Sequence, residues 1–169
     1  RCRARAPRIV LVFPPFRHVV LRVGLGGCRS GLAALMGREA DGFNVHAPLI
    51  EAINNDAVLG QLIHIAEPWD VGPGGYQLGN FPAQWLEWND RFRDDVRHFW
   101  RGDSGTRPKL ATRLAGSADV FKREGRRPSS SINFVAARDG FTLADAVRFA
   151  RKPPVANGSK NRDGQEGGG

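Results

Sequence analysis

The sequence predicts an α/β fold built on a parallel sheet, and three observations carry that expectation. Two short apolar runs with β-branched residues, 62–66 and 132–136, read as buried strands. Segments with helical spacing alternate with them, which is the order of βα units. Each run is followed by an acid, Glu67 directly and Asp139 a few residues on. In parallel βα architectures, sites are built at the carboxyl ends of the strands.

The elements are expected in the following order. Residues 1–31 are rich in Arg, Gly and Val without a clean period. Their apolar patches, 9–13 and 19–21, are cut by Pro14, Pro15 and Arg17. They are too short for a membrane span and lack a small-residue cleavage pattern, so neither a span nor a signal peptide is expected. Residues 48–59 read as a helix, with Pro48 in its first turn and Gly60 at its end. The run 62–66 lies between Gly60 and Pro68, and the Gly- and Pro-rich stretch 70–82 reads as a loop. Trp85, Trp88, Phe92, Val96 and Phe99 recur at spacings of three and four, which by pattern alone is one amphipathic helix. Residues 102–108 read as a break and 123–131 as a basic, Ser-rich loop. Thr142 and Asp145 form a capping-box pattern ahead of Leu143, Ala146, Val147 and Ala150, and the tail from Pro153 has the composition of a disordered segment.

Composition excludes several function classes. The 169 residues, 41% hydrophobic and 25% charged, suit one soluble domain with a real core. Two cysteines without a CxxC and four scattered histidines exclude a disulfide scaffold and a recognisable metal site. A reducing cytoplasm is the expected compartment, with no cofactor. The net charge of +8 is uneven: residues 1–30 hold seven arginines and no acid, leaving 18 basic against 17 acidic side chains elsewhere. That basic stretch supports a competing reading as a non-catalytic binding protein gripping nucleic acid through residues 1–30, but it accounts for nothing in 62–143. Val23 to Gly27 hints at a dinucleotide loop, yet the third glycine of the fingerprint falls on Arg29. His64, on an apolar strand, reads as a core histidine. The aromatics Trp85 to Trp100 read as packing rather than a stacking surface, because Asp90, Asp94 and Asp95 interrupt the positive face.

Two carboxylates after successive strands suit glycoside hydrolysis. One donates a proton to the leaving oxygen and another handles the cationic sugar. The acid needs an apolar or like-charged setting, and Trp69 beside Glu67 is placed to supply an apolar wall and a sugar-stacking face.

The residues around Glu67 sharpen this. The stretch from Ile65 through Glu67, Trp69, Asp70 and Tyr76 to Pro82 resembles the acid-bearing segment of bacterial glycogen debranching enzymes. These form an isoamylase-like branch of the α-amylase superfamily, glycoside hydrolase family 13. The resemblance continues through Gly37-Arg38-Glu39, Asp41-Gly42-Phe43, Trp88 to Asp94, Phe99 to Gly102, Leu114 to Ser117, Ile132 to Val135, Asp139 to Leu143 and Asn161 to Gly164. It implies part of a (β/α)8 TIM barrel, middle-to-late strands only, that hydrolyses α-1,6 branch linkages of glycogen or another branched α-glucan with retention. It implies Glu67 as general acid/base and Asp139 as transition-state stabiliser. Arg29, Trp69, Asp70, Tyr76 and Arg138 fall at substrate-binding positions, with no metal, no membrane and no nucleic-acid partner. It also implies a strand at 85–89, with the helix starting near Arg91. The expected organisation is a degenerate basic segment at 1–31, a partial catalytic barrel at 32–152 and a flexible tail at 153–169.

The departures matter as much. The family's nucleophile lies in a segment of the form Gly-Phe-Arg-Phe-Asp-Leu-Ala, which here reads Gly27-Cys28-Arg29-Ser30-Gly31-Leu32-Ala33. The arginine is kept as Arg29, but the nucleophile position falls on Gly31, which has no side chain. Arg138 stands where the family has histidine. Retaining hydrolysis needs a carboxylate about 5–5.5 Å from the acid, and a complete barrel takes about 250 residues. Little or no catalytic activity is therefore expected from this chain alone.

Overall fold

The computed structural model describes residues 13–122 and 125–137, together with Ala144. The chain divides after Glu87 into two compact units.

The first unit opens with helix α1 (Phe13–Val23) and strand β1 (Gly27–Ser30). The basic stretch therefore holds regular structure where no period was legible. Pro14 and Pro15 sit in the first turn of α1, where a missing N–H costs nothing. Val20 is the buried contact of this helix, while Leu21 and Val23 stay exposed. Strand β1 leads to a short 3-10 turn (Ala33–Met36) and to the antiparallel pair β2 (Arg38–Glu39) and β3 (Gly42–Phe43). Helix α2 (Pro48–Asn55), a 3-10 turn (Leu59–Gln61) and strand β4 (Ile63–Ala66) follow. Strand β5 (Leu86–Asn89) starts in this unit. Strand β4 lies between β1 and β5 and runs parallel to both, with Gly27 opposite Ile63, Ser30 opposite Ala66, and Ala66 opposite Glu87. The arrangement is a parallel sheet with flanking helices, as expected for α/β.

Helix α2 ends four residues before the predicted point. Asp56 leaves the helix in extended conformation, and its carboxylate accepts from the Val58 and Leu59 N–H groups, both at 2.9 Å, starting a new turn. Gly60 is not a helix cap. It permits a close approach, because a Cβ there would lie 2.4 Å from the Asn54 carbonyl oxygen. Gly60→Ala is expected to cost about 1–3 kcal/mol through overpacking, read as a lowered urea midpoint at unchanged slope.

The core of this unit gathers Val20, Ala33, Ile53, Leu59, Ala66, Phe81 and Trp85. Trp85 is fully buried and donates from Nε1 to Asn54 Oδ1 at 2.8 Å. Its ring stacks on His64 at 4.7 Å and Phe81 at 5.9 Å. His64 is a satisfied core histidine. Nε2 donates to the Leu59 carbonyl at 2.7 Å, so in the neutral ring Nδ1 is the acceptor facing Cys28 Sγ at 3.4 Å. Burial raises the Cys28 pKa and keeps the thiol protonated for that contact.

The second unit takes up β5 at Trp88. It continues through α3 (Asp90–Arg101), α4 (Arg107–Leu114), α5 (Ala118–Phe121), a 3-10 turn (Pro128–Ser130) and β6 (Ser131–Asn133), which lies beside β5. The aromatic spacing over Trp85–Phe99 thus spans a strand and a helix, not one helix. Asn89 makes the switch. Its Oδ1 accepts from the Phe92 N–H at 3.0 Å and caps α3, while Nδ2 donates to Ser117 and Ser131, each at 2.9 Å. Gly102, at φ 87°, closes the helix in the left-handed conformation. Helices α4 and α5 were not anticipated, and α4 begins inside the predicted break, with Pro108 in its first turn. Strand β6 is shorter and more exposed than the predicted 132–136; beyond its end the Val135 carbonyl accepts from Arg97 Nε at 2.8 Å. The predicted helix after Thr142 and the tail lie outside the described residues.

Candidate active site

The site is assembled by strand register. One step past the Ser30–Ala66 pair, residue 31 stands opposite Glu67. The Glu67 N–H donates to the Ser30 carbonyl at 3.0 Å, and the ladder then breaks: the Glu67 carbonyl accepts from the Ala33 N–H at 3.0 Å, while the Leu32 N–H turns to the Glu67 side chain. Glu67 is 4% exposed. Its Oε2 accepts from Arg29 Nη1 at 2.9 Å and from the Leu32 N–H at 3.3 Å. A Cβ built on Gly31 would lie 3.3 Å from Glu67 Oε2 and 3.7 Å from Arg29 Nη1. The structure thus brings together Arg29, Gly31 and Glu67, residues 36–38 apart in sequence.

The strained backbone of this turn is at Leu32, not Gly31. Leu32 has φ 51° and ψ 40°, a left-handed conformation that side-chain-bearing residues rarely adopt. The turn aims the Leu32 N–H at the Glu67 carboxylate, so local strain accompanies a donor directed at the acid.

The loop after Glu67 is held at both ends. Asp70 accepts from Arg38 Nη2 through both carboxylate oxygens and from the Gly72 N–H at 2.6 Å. Gly75 lies against the Asp70 backbone, where a Cβ would come 2.4 Å from its carbonyl oxygen. At the far end, fully buried Glu87 accepts from the Gly79 N–H at 2.6 Å and the Phe81 N–H at 3.3 Å. Trp69 is half-buried and Tyr76 exposed. Arg138 and Asp139 lie outside the described residues.

Sequence reasoning missed Arg38, Leu32 and Glu87. Alternation in Leu86–Asn89, with Glu87 and Asn89 both buried, was the available signal for the last. Arg38 sits in a stretch noted only for its family likeness, and its partner is 32 residues away.

The Arg38 guanidinium, followed by the Gly72 N–H, holds the Asp70 carboxyl below its usual pKa. A depressed carboxylate stabilises the fold fully above its unfolded value of about 4, and that contribution is lost as pH falls through the folded value. Arg38→Met is therefore expected to lower the unfolding midpoint at pH 7 and to narrow its gap to wild type below about pH 4. Urea unfolding across that range measures both.

The chemical capability is unequal. Glu67 is a buried carboxylate fixed by a cation and a backbone donor, while the facing position offers no carboxylate. Among the described residues no group of three His, Cys, Asp or Glu side chains could hold a metal ion. No helix among them is long and apolar enough to cross a membrane.

No family model matches the chain. It is homologous to curated proteins of glycogen metabolism. The glycogen operon protein GlgX homologs of Mycobacterium bovis and Mycobacterium tuberculosis are 46% identical over 163 residues, 96% of this chain and 23% of theirs. The glycogen debranching enzyme of a Klebsiella pneumoniae strain is 53% identical over 138 residues, 82% of this chain and 21% of its own. The chain spans under a quarter of the length of these relatives.

Proposed function

We propose that this chain is the middle-to-late part of the catalytic (β/α)8 barrel of a glycoside hydrolase directed at α-1,6 branch linkages of glycogen-like glucans, with the nucleophile position vacated. Glu67 is the general acid/base, Asp139 the transition-state stabiliser, and Gly31 the position from which a nucleophile is missing. Arg29, Trp69, Asp70, Tyr76 and Arg138 are the substrate-binding positions. Of the segments read from the sequence, a basic stretch at 1–31, barrel at 32–152 and tail at 153–169, the first boundary moves back, because β1 (Gly27–Ser30) pairs with β4 in the sheet.

The carrying observation is that parallel register sets residue 31 against Glu67, a Cβ there approaching Oε2 to 3.3 Å. A retaining hydrolase needs two carboxylates flanking one bond. This geometry supplies the two positions and one carboxylate. Homology to glycogen debranching enzymes supports the substrate class.

Two of the seven arginines in residues 1–30 are paired within the fold. Arg29 is paired with Glu67 at 2.9 Å and Arg17 with Asp56 at 3.5 Å. The deciding experiment is retention of the purified chain on immobilised amylopectin and on double-stranded DNA across a salt series. Retention on amylopectin that salt barely changes is expected. DNA retention with a steep salt slope and no glucan retention would overturn the proposal.

A further inference from the structure

We propose that the carboxyl end of α1 and the turn after it form a docking surface for an anionic lipid bilayer, on which the chain lies without crossing it. This surface is built without Glu67 and does not depend on the glucan reading.

The turn sets the surface up. Gly24, at φ 71°, leaves α1 in the left-handed conformation, and the Gly24 and Leu25 N–H groups donate to the Val20 carbonyl at 2.9 and 3.2 Å. Val20 packs into the core. Leu21 and Val23 are 68% and 66% exposed, with Val19 and Leu25 exposed beside them. Ile63 joins from β4: its N–H donates to the Gly26 carbonyl at 3.0 Å, and the residue is 57% exposed. A Cβ built on Gly24 or Gly26 would meet nothing within 4 Å among the described residues, so the segment carrying Leu25 stands clear of the fold. Singly exposed aliphatics are ordinary, but residues 19, 21, 23 and 25 with Ile63 make a patch, which marks an interaction site.

Charge selects the partner. Residues 1–30 hold seven arginines and no acid. Arg22 is exposed within the patch, and among the described residues no ion pair involves it, whereas Arg17 is held by Asp56 at 3.5 Å. A second copy of the chain would set arginine against arginine, and like charges oppose such pairing. Nucleic acid answers the charge but offers the aliphatics no apolar partner. An anionic bilayer answers both. Its headgroups attract the arginines, and the projecting leucine and valine side chains enter the boundary with the acyl chains.

The experiment is co-sedimentation of the purified chain with vesicles of phosphatidylcholine alone and of an equimolar mixture with phosphatidylserine. The variants are Leu21→Ser combined with Leu25→Ser, and Arg22→Gln. All three residues are exposed, so an unchanged urea midpoint is expected in each variant. Binding to the mixed vesicles, with little to phosphatidylcholine alone, is expected from the wild-type chain. The double leucine variant is expected to weaken it at least about tenfold and Arg22→Gln about fivefold. Mixed-vesicle binding preserved in the double leucine variant would overturn the surface, since the arginines alone then account for it. Equal binding to both vesicles would overturn the anionic partner. A wild-type chain that ignores vesicles would overturn the proposal outright: double-stranded DNA binding would then assign the arginines to nucleic acid, and a dimer dissociated by the leucine substitutions would assign the patch to a second copy. Amylopectin retention tests the glucan reading separately and is untouched by any of these outcomes.

Discussion

The purified chain mixed with glycogen or amylopectin is expected to release reducing ends at the uncatalysed background rate, and Glu67→Gln is expected to leave that rate where it is. A working glycosidase exceeds that background by at least about 10⁶-fold, so the expected deficit is large. Covalent catalysis divides the reaction into two steps, and the first requires a carboxylate to trap the glycosyl cation. Gly31 supplies none. Groups that act as a unit are non-additive, so on the proposed reading replacing Glu67 where residue 31 carries no carboxylate removes almost nothing further. Turnover by the wild-type chain that Glu67→Gln abolishes would show that another nucleophile reaches the sugar. The reciprocal variant is Gly31→Asp: any hydrolysis it gains must vanish again in the double variant with Glu67→Gln.

Trp85→Ala is expected to destabilise the first unit by about 3–5 kcal/mol, the range for removing a large aromatic from a packed core. Three losses combine. The fully buried indole leaves a cavity, its stacking on His64 and Phe81 disappears, and Asn54 loses the Nε1 donor. The damage should reach the site, because His64 lies on β4 three residues before Glu67 and Phe81 belongs to the loop that Glu87 clamps. Trp85→Phe keeps the stacking and loses only the hydrogen bond and part of the volume, so a cost of about 1–2 kcal/mol is expected. Urea unfolding monitored by circular dichroism measures both. A loss below 1 kcal/mol for Trp85→Ala would show that the core closes around the gap.

Local signals in the sequence placed Glu67 directly after a buried strand, and the family resemblance singled it out. The apolar run before it is bounded by Gly60 and Pro68, and β4 lies inside that run. Parallel pairing was also legible from the alternation of elements. The contacts that define the site were not, because Arg29 and Gly31 meet Glu67 only through register between strands whose paired residues are 36 apart. Periodicity misled at Trp85–Phe99, where spacings of three and four run across the junction between β5 and α3. The family resemblance, not the spacing, marked that junction, and the Asn89 cap fixes it in the structure. Helix α1 was obscured by two prolines that its first turn tolerates, and the apolar residues after β6 pack by side chain outside the strand, Phe134 against Trp88 at 5.3 Å.

The geometry at residue 31 also has a meaning in mutational distance. Gly31 is not among the glycines with positive φ, so its backbone accepts an L side chain. The approach to Glu67, at 3.3 Å from an added Cβ, ends on the flexible tip of a side chain that can yield by a few tenths of an ångström. The left-handed turn is carried by Leu32 instead, and it persists without a carboxylate before it. Glycine codons ending in a pyrimidine become aspartate codons by one transition at the middle base. On the proposed reading, Gly31→Asp needs that single change and no rebuilding of the backbone.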